Sequence, residues 1–354
     1  MQDITSTNIQ MLERMISEAR KISIVTHQKP DGDAMGSCIA LYHFLRLCGK
    51  DSVRIILNDR YPSYLEFLTE GIPDNDILIH QTREAETGIL LADSDLIFCL
   101  DFNAFHRTDA LEPFLAGSKA SKILIDHHLS PDREAFDLSF SETETSSASE
   151  LLYNILMSTG IIAQNAELLP NMCATALMTG MTTDTNNFAN STYPSTLLMA
   201  SSLLAAGVDR DSILSHLYNQ YSESRLRLMG HIMKDLLTIT EDGVAYIVLD
   251  AKTQKEYSVA EGDTEGFVNM PLSIAGVRMS IMAKEDDGKV RISIRSKKGT
   301  SANGCARRYF NGGGHENAAG GRLHIPEDIP GISCAAEYIE RHTHIYLNEN
   351  DEKN

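Results

Sequence analysis

The sequence predicts an α/β protein. A doubly wound, mainly parallel sheet forms the larger domain, and a helical linker joins it to a smaller α/β domain. Three observations predict this. Continuous apolar runs such as Leu96-Ile97-Phe98-Cys99-Leu100 and Lys122-Ile123-Leu124-Ile125 read as strands covered on both faces, the mark of a parallel sheet. Segments with helical spacing alternate with them, as in βαβ units. From Gly243 onward the pattern becomes mostly strands.

Element by element, residues 8–21 have helical spacing, with Ile9, Leu12, Met15, Ile16 and Ala19 on one side. Ile22-Ser23-Ile24-Val25 is a short strand. Residues 34–47 return to helix, with Gly49 as a stop signal. Residues 52–57 are the next strand, and the two apolar runs follow. Residues 147–157 and 169–178 are helices, as are 196–206, 210–218 and 223–236; the last is a candidate connector. Strands are expected over 244–249, 275–283 and 290–295. A glycine-rich stretch, Asn311-Gly312-Gly313-Gly314-His315, comes next, then a helix near 334–342. The expected boundaries are 1–222 for the first domain, 223–240 for the linker, 241–345 for the second domain and 346–354 for a flexible tail.

Composition narrows the function. At 354 residues two domains are expected rather than one. No basic leader followed by an apolar stretch opens the chain, and no apolar run approaches the ~18 residues that a membrane span needs. The six Cys are scattered without a C-x-x-C pair, which reads as reduced core thiols in a cytoplasmic protein. The net charge of −18 argues against a broad basic surface for long duplex DNA. A short nucleotide ligand is still compatible, because a local basic pocket can sit on an acidic protein.

The chemistry-bearing residues follow the predicted strands. His27, Asp31 and Asp33 lie on the turn that leaves the first strand, where Gly32 lets three side chains fold toward one point. Asp33 is also a candidate N-cap for the helix at Ala34. Asp101 follows five apolar residues, and Asp126, His127 and His128 end another apolar run. Asp184 falls in the polar stretch Gly180-Met181-Thr182-Thr183-Asp184-Thr185, read as a turn. Taken singly, each has an ordinary explanation as a cap, a turn or a surface histidine. Together they crowd carboxylates and imidazoles onto one edge of one sheet. Like charges that close raise one another's pKa and cost energy unless cations neutralise them. Divalent metal ions are therefore expected. Mixed carboxylate and imidazole ligands without thiolate suit Mn²⁺, Mg²⁺ or Co²⁺ better than a structural zinc site, Mn²⁺ first among them.

The segment His27 to Ser37 (H-x-x-P-D-G-D-A-x-G-S), the strand end at Asp101, the Asp126-His127-His128 run and Asp184-Thr185 resemble the four motifs of the DHH phosphoesterase family. The segment from Phe310 to Gly321 resembles the signature of its accessory domain, DHHA1. The resemblance implies that His27 and Asp31 bind one metal, that Asp33, His127 and Asp184 bind the other, and that Asp101 bridges them. Asp126 would orient the histidine pair, and His128 would stabilise charge at the scissile phosphate. Asn186-Asn187 and Asn311 depart from the family pattern, where relatives often carry Gly; both positions tolerate turn conformations.

In the second domain, Gly312, Gly313 and Gly314 would let backbone N–H groups approach a phosphate. His315 would sit near the nucleotide, and Arg295, followed by Ser296, would grip a terminal phosphate bidentately. Within the family, the chain most resembles the enzymes that degrade very short RNA and dephosphorylate 3′-phosphoadenosine 5′-phosphate (pAp). The implied reaction is phosphoester hydrolysis of short oligonucleotides and linear dinucleotides such as pApA and pGpG, with pAp as a further substrate. A homodimer is a candidate assembly. The alternatives are a RecJ-like single-strand exonuclease, a soluble cyclic-dinucleotide phosphodiesterase and a non-catalytic nucleotide-binding protein.

Overall fold

A computed structural model describes residues 3–219, 221–260 and 262–351. The chain divides into two compact units, Met1–Gln220 and Tyr221–Asn354.

Unit 1 is built on six parallel strands: β1 (Lys21–Thr26), β2 (Ser52–Leu57), β3 (Ile77–Ile79), β4 (Leu96–Leu100), β5 (Ser121–Asp126) and β6 (Leu138–Ser141). Their order is β3-β2-β1-β4-β5-β6, the doubly wound arrangement. Helices α1 (Ser6–Glu18), α2 (Gly32–Leu47), α3 (Glu84–Asp93), α4 (Glu112–Gly117), α5 (Ala148–Met157), α6 (Asn171–Asp184), α7 (Pro194–Ala205) and α8 (Arg210–Tyr218) cover it. Alternate strand residues point to opposite faces, so each face has its own core. Ile24, Ile55, Phe98 and Ile125 pack with α1, α2, α5 and α6. Val25, Ile56, Ile97, Cys99 and Leu124 pack with α3 and α4. Residues apolar on both faces gave the continuous runs seen in the sequence.

The packing of α2 on α6 sets the position of the acidic groups. α2 is buried around nearly its whole circumference, as a helix that is apolar all round should be. Two glycines let the helices touch. A Cβ at Gly36 would fall 2.6 Å from the Ala176 carbonyl oxygen, and one at Gly180 would fall 2.8 Å from Asp33 Oδ1.

Unit 2 holds a mixed sheet in the order β11-β12-β10-β9-β8-β7. Its strands are β7 (Leu237–Ile239), β8 (Val244–Leu249), β9 (Met279–Asp286), β10 (Lys289–Ser296), β11 (Gly313–His315) and β12 (Ala318–His324). Helices α9 (Glu223–His231), α10 (Ala251–Glu256), α11 (Ala302–Tyr309) and α12 (Ala335–Asp351) complete it. One sheet face buries Ile281, Ile292, Ile294 and Leu323 with residues of α11 and α12. The other packs Met282 and Ile247 with Leu228 and Phe267.

Several sequence expectations need correction. Asp184 is the last residue of α6, not part of a turn, because the helix continues six residues past Met178 through buried Thr179, Gly180 and Met181. The N-cap of α2 is Asp31, whose side chain accepts the Asp33 and Ala34 amides, so Asp33 lies inside the first turn. Strand β9 starts at Met279 rather than 275, because Val277 donates to the Ile274 carbonyl in a turn. A π-helical turn, Ile232–Leu236, replaces the end of the expected 223–236 helix. The polar tail is helical to Asp351; residues 352–354 lie outside the described residues.

The α2–α6 contact yields a stability prediction. Gly36→Ala should force the helices apart, at a cost typical of overpacking, about 1–3 kcal/mol. The melting temperature should then drop by several degrees, given roughly 2–4 °C per kcal/mol for domains of this size. Scanning calorimetry checks it; an unchanged transition would mean that the contact relaxes at little cost.

Candidate metal centre and substrate-end residues

β1 and β4 are neighbours, and the strand order reverses between them, which is where doubly wound folds bind ligands. His27 follows β1, Asp101 follows β4, Asp126 ends β5, and His127 and His128 come directly after it. Helix ends supply the rest: Asp31 caps α2, Asp33 lies in its first turn, and Asp184 closes α6.

Asp101 lies at the centre. It is 3 % exposed. Its Oδ2 faces His27 Nε2 at 3.4 Å, and its Oδ1 faces His127 Nε2 at 3.5 Å. His27 Nε2 also lies 3.9 Å from Asp31, and His127 Nε2 lies 3.6 Å from Asp184. His27 Nδ1 is committed to the Gln28 carbonyl at 2.8 Å, which aims Nε2 at the carboxylates. Asp101 adopts φ +62°, unusual for a residue with a side chain and a form of strain that concentrates at functional sites. Its amide donates to the Ile125 carbonyl of the neighbouring strand at 3.0 Å, which holds that conformation.

The electrostatics follow from this crowding. Burial penalises the Asp101 charge, yet the contacts with His127 and His27 hold its carboxyl far below the usual carboxylate range. Burial alone would lower both imidazoles. Contact with Asp101 and the nearby carboxylates outweighs it, raising His27 to about 9 and His127 to about 10. Burial, with Asp101 nearby, pushes Asp33 up to about 7, and burial with Asp33 nearby raises Asp184 well above its ordinary value.

Three overlapping groups have donor atoms all within 4.8 Å of one another: His27, Asp31 and Asp101; Asp33, His127 and Asp184; and Asp101, His127 and His128. A divalent ion fits this set. Asp101 Oδ1 and Asp126 Oδ2 are buried oxygens without a hydrogen-bond partner among the described residues, a costly state that a cation nearby would relieve. The donors are oxygen and imidazole nitrogen, with no thiolate among them. His128 stands slightly apart in role: its Nδ1 pairs with buried Asp126 at 2.7 Å, which fixes the ring.

One part of the site was missed in the sequence. Both Asp33 oxygens accept backbone amides from the first turn of α5, Ala148 at 2.6 Å and Ser149 at 2.9 Å. That turn is capped by Ser147 and braced by buried Glu150, whose Oε2 accepts from the Ser146 amide and from Thr196 Oγ1. Ser147 and Glu150 at N-cap and N3 were a readable capping signal. Their tie to Asp33 depends on tertiary structure and left no local trace.

In unit 2, Arg295 lies opposite Ala318, which lies opposite His315, so the two expected substrate-end side chains share a row across β10, β12 and β11. The glycines also answer a steric requirement. The Gly312 amide donates to the Ala306 carbonyl and the Gly314 amide to Asn303 Oδ1, so two of the three amides already have internal acceptors. A Cβ at Gly312 would fall 1.9 Å from the Gly320 carbonyl oxygen, and Gly314 has φ +153°. Close strand packing accounts for both. Ser296 is also internally satisfied, its hydroxyl donating to the Thr300 carbonyl at 2.6 Å and accepting from Asn317.

Comparison with known proteins agrees with this geometry. The model of the DHH family N-terminal domain matches residues 21–181, and that of the DHHA1 domain matches residues 241–339. The Bifunctional oligoribonuclease and PAP phosphatase NrnA of Bacillus subtilis is 28% identical over 332 residues, spanning 93% of this chain and 97% of the relative. The protein of the same name from Thermus thermophilus is 28% identical, with 88% of each chain covered. A crystal structure of an exopolyphosphatase-related protein from Bacteroides fragilis superposes with a TM-score of 0.90 at 35% identity, covering 98% of both chains. The strand-end carboxylates, the histidine pair and the order of the two domains thus have one common source: the chain belongs to the DHH family and carries a DHHA1 domain.

Proposed function

We propose that the protein is a metal-dependent phosphoesterase acting on short oligonucleotides and linear dinucleotides such as pApA and pGpG, and on pAp. The observation that carries this reading is Asp101, whose two oxygens face two imidazoles and thereby join two sets of oxygen and nitrogen donors. The names of the relatives, oligoribonuclease and PAP phosphatase, support the substrate class. His27, Asp31 and Asp101 would hold one ion, and Asp33, His127, Asp184 and Asp101 the second, with Mn²⁺ the favoured metal. Such a pair of ions would supply Lewis acidity at the phosphoryl oxygens and lower the pKa of water. His128, fixed by Asp126, would meet charge building on the phosphorus oxygens. Arg295 and His315 would hold the far end of the substrate. The six free thiols suit a reducing cytoplasm.

Three tests follow. Near pH 7.5 the metal-free protein should keep His27 and His127 protonated, since their pKa values stand at about 9 and about 10. A metal needs the neutral ring, so Mn²⁺ binding should release more than one proton per chain. Calorimetric titration in two buffers of different ionisation enthalpy measures it; heats independent of buffer would contradict the assignment.

Asp101→Ala should remove the anchor common to both ions and lower turnover by orders of magnitude at saturating Mn²⁺. Retention of about a tenth of the parent activity would show that the bridge is misassigned.

The third test separates binding from chemistry. Loss of one charge-assisted contact costs about 1.5–3 kcal/mol, roughly ten- to a hundred-fold in affinity. Arg295→Ala should therefore raise KM for short oligonucleotides, whereas His128→Ala should depress kcat. An Arg295→Ala protein with its KM intact but its Mn²⁺ binding lost would overturn this division of labour.

A further inference from the structure

The strand register of unit 2 lines up basic residues that the site above does not use. Arg291 on β10 lies directly opposite Arg322 on β12 and directly opposite Lys284 on β9. The three form one row across three strands. Their face is settled by alternation: Val290, Ile292 and Ile294 point into the core with α11 and α12, so Arg291, Ser293 and Arg295 point the other way. Arg291 and Arg322 are exposed, and neither has a carboxylate partner among the described residues. Like charges set directly opposite each other on a sheet are destabilising. In a chain of net charge −18, two unpaired guanidinium groups side by side call for an anion. The next row, Asp286, Lys289 and His324, is mixed in charge and does not.

Arg295 is on the same face, four residues along β10, roughly 13 Å away at about 3.3 Å per residue. No single phosphate spans that distance. Between the two rows the face carries Ser293 and, opposite it, Gly320, whose added Cβ would meet nothing closer than 3.5 Å. The floor between the rows is therefore low on the β12 side, whereas on the β9 side Met282, opposite Ser293, is buried with Leu228 and Phe267. A ligand touching both rows needs at least two anionic groups on one flexible chain.

We infer that the Arg291–Arg322 row, flanked by Lys284, is a distal phosphate subsite for oligonucleotides longer than a dinucleotide. The inference rests on the proposed function and adds a length preference to it. Charge complementarity names the occupant: the phosphodiester backbone of a single strand, bound without base recognition.

The test compares pApA with a five-nucleotide RNA in the full-length protein. For an Arg291→Ala/Arg322→Ala protein, the ratio of KM for the five-mer to KM for pApA should rise about tenfold. Arg291→Lys/Arg322→Lys should keep most of the parent ratio, since charge rather than shape is used. A second readout is independent of turnover. With metal chelated, fluorescence anisotropy of a labelled five-mer across a salt series should give a slope shallower by about one in the alanine protein. An unchanged KM ratio together with an unchanged slope overturns the subsite while leaving the hydrolase reading intact. If the parent protein cleaves neither substrate, the hydrolase reading falls, and the salt slopes alone decide whether the row binds single strands.

Discussion

The chemistry of unit 1 depends on one buried carboxylate held where a carboxylate should be costly. Asp101 ends a central strand, is almost wholly buried, and adopts a left-handed backbone conformation. Its charge persists because two imidazoles face its two oxygens. The dependence is mutual: those imidazoles hold their protons only because Asp101 and its acidic neighbours surround them. Remove the carboxylate, and each imidazole loses the largest contact that opposes its burial, leaving Asp31 beside His27 and Asp184 and Asp33 beside His127.

The sequence made this centre legible because strand ends are local features. An apolar run followed by Asp or His identifies both the strand and the residue at its carboxyl end, so His27, Asp101, Asp126, His127 and His128 were readable without a structure. Helix ends were harder. Asp184 sits at the end of α6, where Thr182 and Thr183 resemble a turn locally but continue a helix packed closely on α2. Asp31 and Asp33, two residues apart, are equally good caps by residue type, and only the folded chain separates them. β3 and β6 leave little trace in the sequence because strands of three or four residues carry little periodicity.

Unit 2 shows the reverse pattern. The glycine-rich motif was conspicuous, yet much of its meaning is steric, since β11 and β12 approach too closely for side chains at Gly312 and Gly314. In the sequence, Arg291 and Arg322 are scattered charges of the kind that ordinarily form a solvated face. Register changes that reading: Arg291 and Arg322 are 31 positions apart in the chain and immediate neighbours on the sheet. Composition cannot report such pairings, because they exist only after strands have been matched.

The two donor sets around Asp101 are therefore built differently. His27 and Asp31 lie on one short loop, and their orientation is fixed within it, by the Gln28 carbonyl and the amides of the first turn of α2. Asp33, His127 and Asp184 come from three elements distant in sequence. Asp33 is held by the amides of α5, which in turn depend on Glu150 and, through it, on Thr196 of α7. Asp184 depends on the α2–α6 contact that Gly36 and Gly180 permit. One half of the centre is thus encoded locally, and the other half is assembled only when the helical layer closes. Asp101, which faces both, ties the local half to the tertiary one.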